Sequence, residues 1–203
     1  MEGEIMINLK YIKTRLFIPI LVVLSPLIAQ AVSLLHNQGW LLGLGTTAVV
    51  IGFLAIYDKW LWKIRGFKCL NTIPDLNGDY HGDIEYYYEG KDRKLKCVLT
   101  IRQTLSHLIA TSTFYKEGEN DKLSSKSTST EAIIKTDDLG KHKLILVYIN
   151  NGSGKNGNTQ GQHDGLNILS VDTDEDLIKL EGYYFTNRKP VQTKGIMTVQ
   201  KTK

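Results

Sequence analysis

Two long apolar runs near the N-terminus dominate the hydrophobic pattern of the chain. Residues 16–35 and residues 40–57 contain no charged side chain, and only four residues, His36 to Gly39, separate them. At about 1.5 Å per residue, each run is long enough, or nearly so, to cross a hydrocarbon core of roughly 30 Å. Because the link is so short, the second helix must return antiparallel to the first. The pattern therefore predicts a hairpin of two transmembrane helices.

Basic residues flank this predicted hairpin on one side only. Three precede the first run, four follow the second run, and the link contains none. This asymmetry predicts that both termini are cytoplasmic, with residues 1–15 as an N-terminal segment and residues 58–73 as a basic juxtamembrane linker. A cleaved signal peptide would have one shorter apolar region, and a buried soluble hairpin would have a polar stripe. The two runs show neither feature.

The rest of the chain, residues 74–203, alternates β-branched and aromatic residues with polar ones. The alternation and its turn-rich interruptions predict eight strands. They are Gly78 to Tyr88, Arg93 to Gln103, His107 to Lys116, Ser124 to Lys135, His142 to Asn150, Gln162 to Ser170, Leu177 to Thr186 and Thr193 to Lys201. Short links favour an eight-stranded antiparallel up-and-down β-barrel, which leaves no exposed sheet edge. A two-sheet sandwich with the same strand count is the competing fold.

Alternation within these strands predicts which side chains line the barrel interior. Charged residues mark the outward positions, so the inward positions are apolar at one level and carry hydroxyls and tyrosines at another. The inward polar set comprises Tyr80, Ser125, Ser127, Ser129, Tyr148, Tyr184, Thr186 and Thr193. Because an eight-stranded barrel can hold one small ligand, this set suggests a pocket with a few placed polar groups. The alternative is that these residues lie at a solvated rim.

Charge and motif content argue against several function classes. The net charge of +4 comes entirely from the flanks of the hairpin, since residues 69–203 contain 18 basic and 18 acidic residues. DNA and long RNA require a concentrated basic surface, so they are not expected partners. The two cysteines fit a reducing cytosol. No catalytic set and no metal-ligand spacing is recognisable, so the sequence predicts neither a catalytic site nor a metal site.

Several short motifs follow the hairpin in a definite order. They are Leu76-Asn77-Gly78-Asp79-Tyr80-His81-Gly82, Ile101-Arg102-Gln103-Thr104, Ser125-x-Ser127-x-Ser129, Leu146-Val147-Tyr148 with Asn150, His163-Asp164-Gly165, and Leu180-Glu181-Gly182-Tyr183-Tyr184-Phe185-Thr186-Asn187-Arg188 with Thr193-Lys194-Gly195. With this order, the chain resembles the CD-NTase-associated protein 15 family, the membrane-anchored β-barrel effectors of bacterial CBASS anti-phage systems. The resemblance covers nearly the whole chain.

The resemblance implies a receptor and not an enzyme. In similar proteins the barrel binds a cyclic dinucleotide made by a partner CD-NTase nucleotidyltransferase. The hairpins then self-associate and disrupt the lipid bilayer of the bacterial inner membrane, which kills the infected cell. The resemblance thus implies a multi-pass inner-membrane protein with a cytoplasmic barrel, no cofactor and a cyclic dinucleotide ligand.

Strand alternation and these motifs together give a set of candidate ligand-binding residues. The set comprises Tyr80, Ser125, Ser127, Tyr148, His163, Tyr184, Thr186, Arg188 and Thr193. The tyrosines could stack on bases, the small hydroxyls could meet ribose or phosphate, and the Arg188 guanidinium could meet phosphate charge, although a rim arginine can also simply be solvated. A membrane-tethered barrel for a lipid or another apolar metabolite remains the alternative function. That alternative predicts an apolar lumen and tolerance of Arg188→Ala.

Overall fold

The computed structural model describes residues 9–37, 46–88, 90–116, 123–152, 161–174, 177–188 and 191–202 of the protein. These residues form two compact units. One unit comprises the described residues up to Pro74 together with Thr104–Ser106, and it is helical. The other comprises Asp75–Gln103 and the described residues from His107 onward, and it is a β-barrel.

The first helix, α1, spans Thr14–Asn37 and includes the whole predicted segment 16–35. Its residues 14–34 have a mean hydropathy of 2.2 and are almost entirely unburied within the protein. Within the described ranges, α1 is the one helix that is long and apolar enough to cross a membrane. Pro19 and Pro26 lie inside it, as is tolerated in membrane-spanning helices.

The second helix, α2, spans Thr46–Lys59. It includes residues 46–57 of the predicted segment 40–57, whereas residues 40–45 lie outside the described residues. At about 1.5 Å per residue, its 14 residues extend roughly 21 Å, which is shorter than a hydrocarbon core. Phe17 of α1 packs on Tyr57 of α2 with 5.2 Å between the ring centroids. The helices therefore touch, but the described part of α2 does not by itself span a bilayer.

The predicted juxtamembrane linker, residues 58–73, is folded. It contains two short 3₁₀ helices, Leu61–Lys63 and Lys68–Leu70. The buried Asn71 amide ties the segment together, since it donates to the Trp62 and Phe67 carbonyls and accepts from the Tyr57 hydroxyl. The Lys13 amide donates to the Leu70 carbonyl at 2.8 Å. The segment is thus fixed to both helices of its own unit.

Eight antiparallel strands close into a barrel in simple sequence order, as the alternation predicted. The strands are β1 (Gly78–Tyr88), β2 (Lys91–Gln103), β3 (Leu108–Lys116), β4 (Leu123–Thr136), β5 (His142–Asn150), β6 (His163–Thr173), β7 (Leu177–Thr186) and β8 (Lys194–Thr202). Because β1 also pairs with β8, the sheet has no free edge, and the sandwich alternative is wrong.

Burial follows the predicted alternation and places the core inside the barrel. Leu99, Leu144, Leu169 and Leu180, from four different strands, are fully buried there. Each buried side chain of this size contributes about 1.5–3 kcal/mol relative to an exposed one. The exception to simple alternation is β4, where register shifts occur opposite Phe114/Tyr115 and between Ser129 and Glu131. The interior is therefore mainly apolar, although buried polar residues such as Ser112 and Asn167 also lie within the strands.

Candidate functional site

A cavity of about 60 Å³ opens at the end of the barrel where β1 ends and β8 begins. We call this the open end. The described residues that line it come from all eight strands or from the residues next to them. They are Ile84, Tyr86, Leu95, Phe114, Ser125, Tyr148, Asn150, His163, Asn167, Tyr184, Thr186, Arg188, Thr193 and Met197. The floor is apolar, and the wall carries hydroxyls and amides, which is the usual composition of a ligand pocket.

Two tyrosines of the cavity lie against glycines on neighbouring strands. Tyr148 is paired with Gly165, and a Cβ atom at that glycine would lie only 2.3 Å from the Tyr148 ring. Tyr184 is paired with Gly195, where a Cβ atom would lie 2.8 Å from the Tyr184 ring. Each ring therefore packs directly on a glycine, and any larger residue at that position would clash with the ring. The strand register thus fixes the position of both rings.

Burial keeps these phenols neutral. It raises the pKa of Tyr148 and of Tyr184 well above the ordinary value, and it also raises the pKa of Tyr86. For Tyr184 the nearby Tyr86 and Tyr148 raise the pKa further, while the Arg188 guanidinium opposes the increase. Neutral phenols can donate hydrogen bonds, so the cavity presents three donors without adding negative charge.

Arg188 supplies permanent positive charge to the open end. Its guanidinium lies 4.8 Å from the centroid of the Tyr88 ring and is half-buried. No aspartate or glutamate occurs among the described residues that line the cavity. The Asp164 carboxylate lies with Arg188 at a neighbouring surface pocket, but it does not line the cavity. A partly desolvated guanidinium favours an anionic ligand, above all a phosphate.

Hydroxyl and amide groups hold the rest of the wall in place. The Thr186 and Thr193 hydroxyls are 2.7 Å apart and both are buried. The Asn150 side-chain amide donates to the Ser125 hydroxyl at 3.3 Å, and its oxygen accepts from the Gly152 amide at 2.8 Å. These groups are positioned by each other and keep spare hydrogen-bonding capacity toward the cavity.

Asn167 lines the cavity with a buried side-chain oxygen that lacks a hydrogen-bond partner among the described residues. Its side chain is only 3% exposed. Its amide nitrogen has a weak contact with the Met197 sulfur at 3.9 Å. A buried unsatisfied amide costs about 1–3 kcal/mol, so its place in the cavity wall indicates a site that something else completes.

The model of one protein family, described as Cap15, cyclic dinucleotide receptor domain, matches residues 71–201. This match covers the complete barrel and well over half of the chain. The chain belongs to the Cap15 family. A curated relative, CD-NTase-associated protein 15 of Staphylococcus schleiferi, is 27% identical over 166 residues, which are 81% of this chain and 82% of the relative. The similarity to that relative therefore extends beyond the barrel.

The Cap15 barrel brings together seven of the nine residues selected from the sequence. Ser125, Tyr148, His163, Tyr184, Thr186, Arg188 and Thr193 all line the cavity at the open end. Ser127 is buried at 3% exposure but is not among the lining residues. His163 lies at the start of β6, and its Nδ1 is 3.0 Å from the Gly161 carbonyl oxygen. Whether these seven residues bind a ligand remains a prediction.

Tyr80 lies at the other end of the Cap15 barrel, near the start of β1, which we call the closed end. It is fully buried there, and its hydroxyl donates to the Leu76 carbonyl at 3.0 Å. The Leu76 amide in turn donates to the Gln103 side-chain oxygen at 2.8 Å. Tyr80 therefore faces inward like the cavity tyrosines but lies at the opposite end of the barrel. There its hydroxyl and the Leu76 amide both have hydrogen-bond partners.

Sequence reasoning missed several residues of the Cap15 cavity. Tyr86 lies two positions after the inward Ile84 on β1, and Asn167 lies on the inward face of β6, a strand for which no inward face was assigned. Extending the alternation along β1 and applying it to β6 would have found both. Phe114 was missed because the one charged residue of β3, Lys116, lies at the end of the strand on the same alternation as Phe114 and does not mark the outward face. No group of three or more histidine, cysteine or acidic residues able to hold a metal ion occurs in the described ranges.

Proposed function

We propose that the open end of the barrel binds a cyclic dinucleotide and that the protein is an effector of a bacterial CBASS anti-phage system. Membership of the Cap15 family supports this ligand class, since the family model is described as a cyclic dinucleotide receptor domain. The observation that carries the proposal is the composition of the cavity. Its described residues combine one guanidinium, three neutral phenols and a buried amide whose oxygen lacks a described partner, and they include no carboxylate. A cyclic dinucleotide offers the matching groups, namely phosphates, ribose hydroxyls and flat bases.

Size limits how such a ligand enters. A volume of about 60 Å³ has room for about four to six water molecules, so a whole dinucleotide cannot fit inside. In our proposal one part of the ligand enters between Tyr148 and Tyr184, while a phosphate lies at the mouth beside Arg188. The Asn167 amide then pairs with the inserted part. The remainder of the ligand lies across the rim.

Ligand binding then drives self-association of the membrane segments. In our proposal α1 and the run at 40–57 cross the bacterial inner membrane as a hairpin, with both termini and the barrel in the cytoplasm. A partner CD-NTase makes the ligand after phage infection. Assembly disrupts the membrane and kills the cell, and the barrel acts as a receptor without catalysis. A ligand can drive this change only if it binds the assembled state more tightly than the resting state.

A binding titration of the full-length protein in detergent micelles tests the ligand. Cyclic dinucleotides, linear dinucleotides and fatty acids are added separately, and the shift in unfolding temperature is followed, because a ligand selective for the folded state raises it. We expect a saturable increase with at least one cyclic dinucleotide, and loss of that increase in Arg188→Ala. Arg102, which is exposed on the outer face of β2, provides the matched control Arg102→Ala. A shift with fatty acids alone would support the lipid-binding alternative and overturn the proposal.

Release of a dye from vesicles tests the membrane step. The full-length protein in vesicles is expected to release dye only when the cyclic dinucleotide found above is added. The Arg188→Ala variant should release none at the same nucleotide concentration. Equal release with and without nucleotide would contradict ligand-driven assembly, even if binding itself were normal.

A further inference from the structure

The outer surface of the barrel is apolar along one side. Outward residues of the three adjacent strands β5, β6 and β7 form this surface, which we call the apolar wall. It consists of Ile145, Val147, Leu166, Ile168, Tyr183 and Phe185. Tyr183 is 53% exposed, Val147 is 41% exposed and Phe185 is 36% exposed. Outer faces of soluble antiparallel sheets are normally polar, so this wall requires an explanation.

Strand register makes the wall contiguous. Ile145, Ile168 and Tyr183 lie directly opposite one another and form one row across the three strands. Val147, Leu166 and Phe185 form a second row beside it. The Tyr183 and Phe185 rings stack with 6.4 Å between their centroids. Six neighbouring side chains thus make one patch of the kind that marks an interaction surface.

The opposite side of the barrel has a different character. On β1 and β2, Asp83 pairs with Lys94 and Lys96 at 3.2 and 2.9 Å, and Glu85 pairs with Lys94 at 3.2 Å. The outward residues of β3 include Thr111 and Thr113. These strands have the mixed charged and hydroxylated surface that is expected in water. Ile109 on β3 is 46% exposed, but charged and hydroxyl groups surround it. The contiguous apolar surface therefore lies at the wall, where Ile196 on β8 extends the row of Tyr183.

The charged residues beside the apolar wall indicate which partner binds to it. The row of Leu166 continues to Glu131 on β4 at one end and to Lys194 on β8 at the other. The row of Ile168 is apolar up to its ends, Ile133 on β4 and Ile196 on β8. One row further, Lys143 on β5 and Glu181 on β7 flank Ser170 on its two sides. In the two charged rows, the residues on the two sides of β6 therefore have opposite charges. Such a surface is complementary to a copy of itself that is turned about β6.

We propose that two copies of this chain pack wall to wall about a two-fold axis that runs along β6. Leu166 then contacts its own counterpart, Val147 contacts the partner's Phe185, and Lys143 approaches the partner's Glu181. An axis along a strand leaves both cavities on the same side of the dimer and exposes both open ends. The closed sheet has no edge for strand addition, so the contact is made by side chains.

Cysteine cross-linking tests the axis. The full-length protein in detergent, without nucleotide, carries Cys69→Ser so that the buried Cys97 is the remaining native thiol. Faces of packed sheets lie about 10 Å apart, which a short bis-maleimide can bridge. We expect Leu166→Cys to give at least ten-fold more cross-linked dimer than Val98→Cys, a matched outward position on β2 at the opposite side. Equal yields from the two variants would overturn the proposal.

Mixing experiments test the pairing across the axis. Val147→Cys and Phe185→Cys should each cross-link weakly alone and about ten-fold more strongly when mixed, because each position faces the other on the partner. If each variant cross-links as well alone as in the mixture, the two-fold axis along β6 is wrong.

Exchanging the charges of Lys143 and Glu181 tests, by an independent measurement, whether the partner is a second copy of this chain. Lys143→Glu and Glu181→Lys should each weaken dimerisation about ten-fold, since every substitution places like charges together twice in the dimer. The double variant Lys143→Glu/Glu181→Lys should restore the wild-type dissociation constant, measured by sedimentation velocity. Additive weakening in the double variant, or a monomeric wild-type protein, would overturn the proposal.

Discussion

The two ends of the barrel lumen use the same kinds of residue in opposite ways. At the closed end, the Tyr80 hydroxyl donates to the Leu76 carbonyl, and the Gln103 side-chain oxygen accepts from the Leu76 amide. At the open end, the tyrosines lie on glycines around a cavity, and the Asn167 oxygen finds no partner in the described part of the chain. The closed end is thus completed by the protein, whereas the open end retains a buried acceptor that, in our proposal, a ligand completes.

This difference shows that residue type alone does not indicate function inside a barrel. Tyr80, Tyr148 and Tyr184 are all buried, and burial raises the pKa of each. What separates them is whether the surrounding polar groups are satisfied. Polar pairing stabilises the closed end, whereas the incomplete pairing of Asn167 at the open end costs stability. Our proposal explains that cost by ligand binding.

The largest effect is expected from Arg188→Ala at the open end. Loss of a charge-assisted hydrogen bond should weaken cyclic dinucleotide binding about 100-fold, while the free energy of unfolding changes by less than about 0.5 kcal/mol. Equilibrium titration and urea unfolding measure the two quantities. Arg188→Lys should retain part of the affinity because it keeps the charge without the planar donors. Wild-type affinity in Arg188→Ala would contradict the assigned role.

Gln103→Leu at the closed end should have the opposite pattern, with lower stability and unchanged ligand affinity. This change leaves the buried Leu76 amide without its acceptor and should reduce the free energy of unfolding by about 2 kcal/mol. Ligand affinity should stay within about two-fold of the wild type, since no contact with the cavity is lost. Urea unfolding and the same titration check both statements. A large loss of affinity would show that the two ends are not independent.

Asn167→Leu distinguishes a ligand-binding amide from a structural one. Replacing an unsatisfied buried amide with an apolar side chain of similar shape should stabilise the protein by about 1 kcal/mol. The same change should weaken ligand binding about ten-fold, because it removes a donor and an acceptor from the cavity. Thermal unfolding with and without ligand measures both effects. Lower stability together with unchanged affinity would mean that Asn167 is part of the core.

The smallest effect near neutral pH is expected for the pH dependence of stability, to which the buried tyrosines at both ends contribute. Their folded-state pKa values lie above the ordinary value of 10.0, so the folded protein holds protons that the unfolded chain releases first. Burial also raises the pKa of the Cys97 thiol above its ordinary value of 9.0. Stability should therefore be constant from about pH 7 to 8, begin to fall near pH 9 because of Cys97, and fall more steeply above about pH 10 because of the tyrosines. Tyr184→Phe should reduce the slope of that fall. Phenolate absorbance from the three residues near pH 10, before unfolding, would contradict their burial.

The fold could be predicted because period-two alternation is a direct consequence of strand geometry. The bounds of β1, β5 and β7 were predicted to the residue. The irregularities of β4 were missed, because an extra residue in one strand is visible only once its partner and register are known. The described part of α2 is shorter than its apolar run, so a spanning hairpin stays a prediction.

The candidate site could be predicted only in part, because alternation gives the face of a residue and not its height in the barrel. Tyr80 and Tyr148 are equivalent by alternation, yet register places them at different ends. Asn167 stands out because its side-chain oxygen has no hydrogen-bond partner among the described residues, which only the three-dimensional structure shows. Neither fact is written in the spacing of residues along a single strand.

The central claim is that the ligand enters the open end of the lumen, and Met197 offers a direct probe. The chain contains three methionines, of which Met197 is fully buried and lines the cavity. The protein is labelled with [¹³C]methyl-methionine and titrated with a cyclic dinucleotide that binds it, and Met197→Leu identifies the resonance. The account predicts a saturable shift of the Met197 methyl signal, with Met1 and Met6 as internal controls. Saturable binding that leaves the Met197 signal unchanged would contradict it.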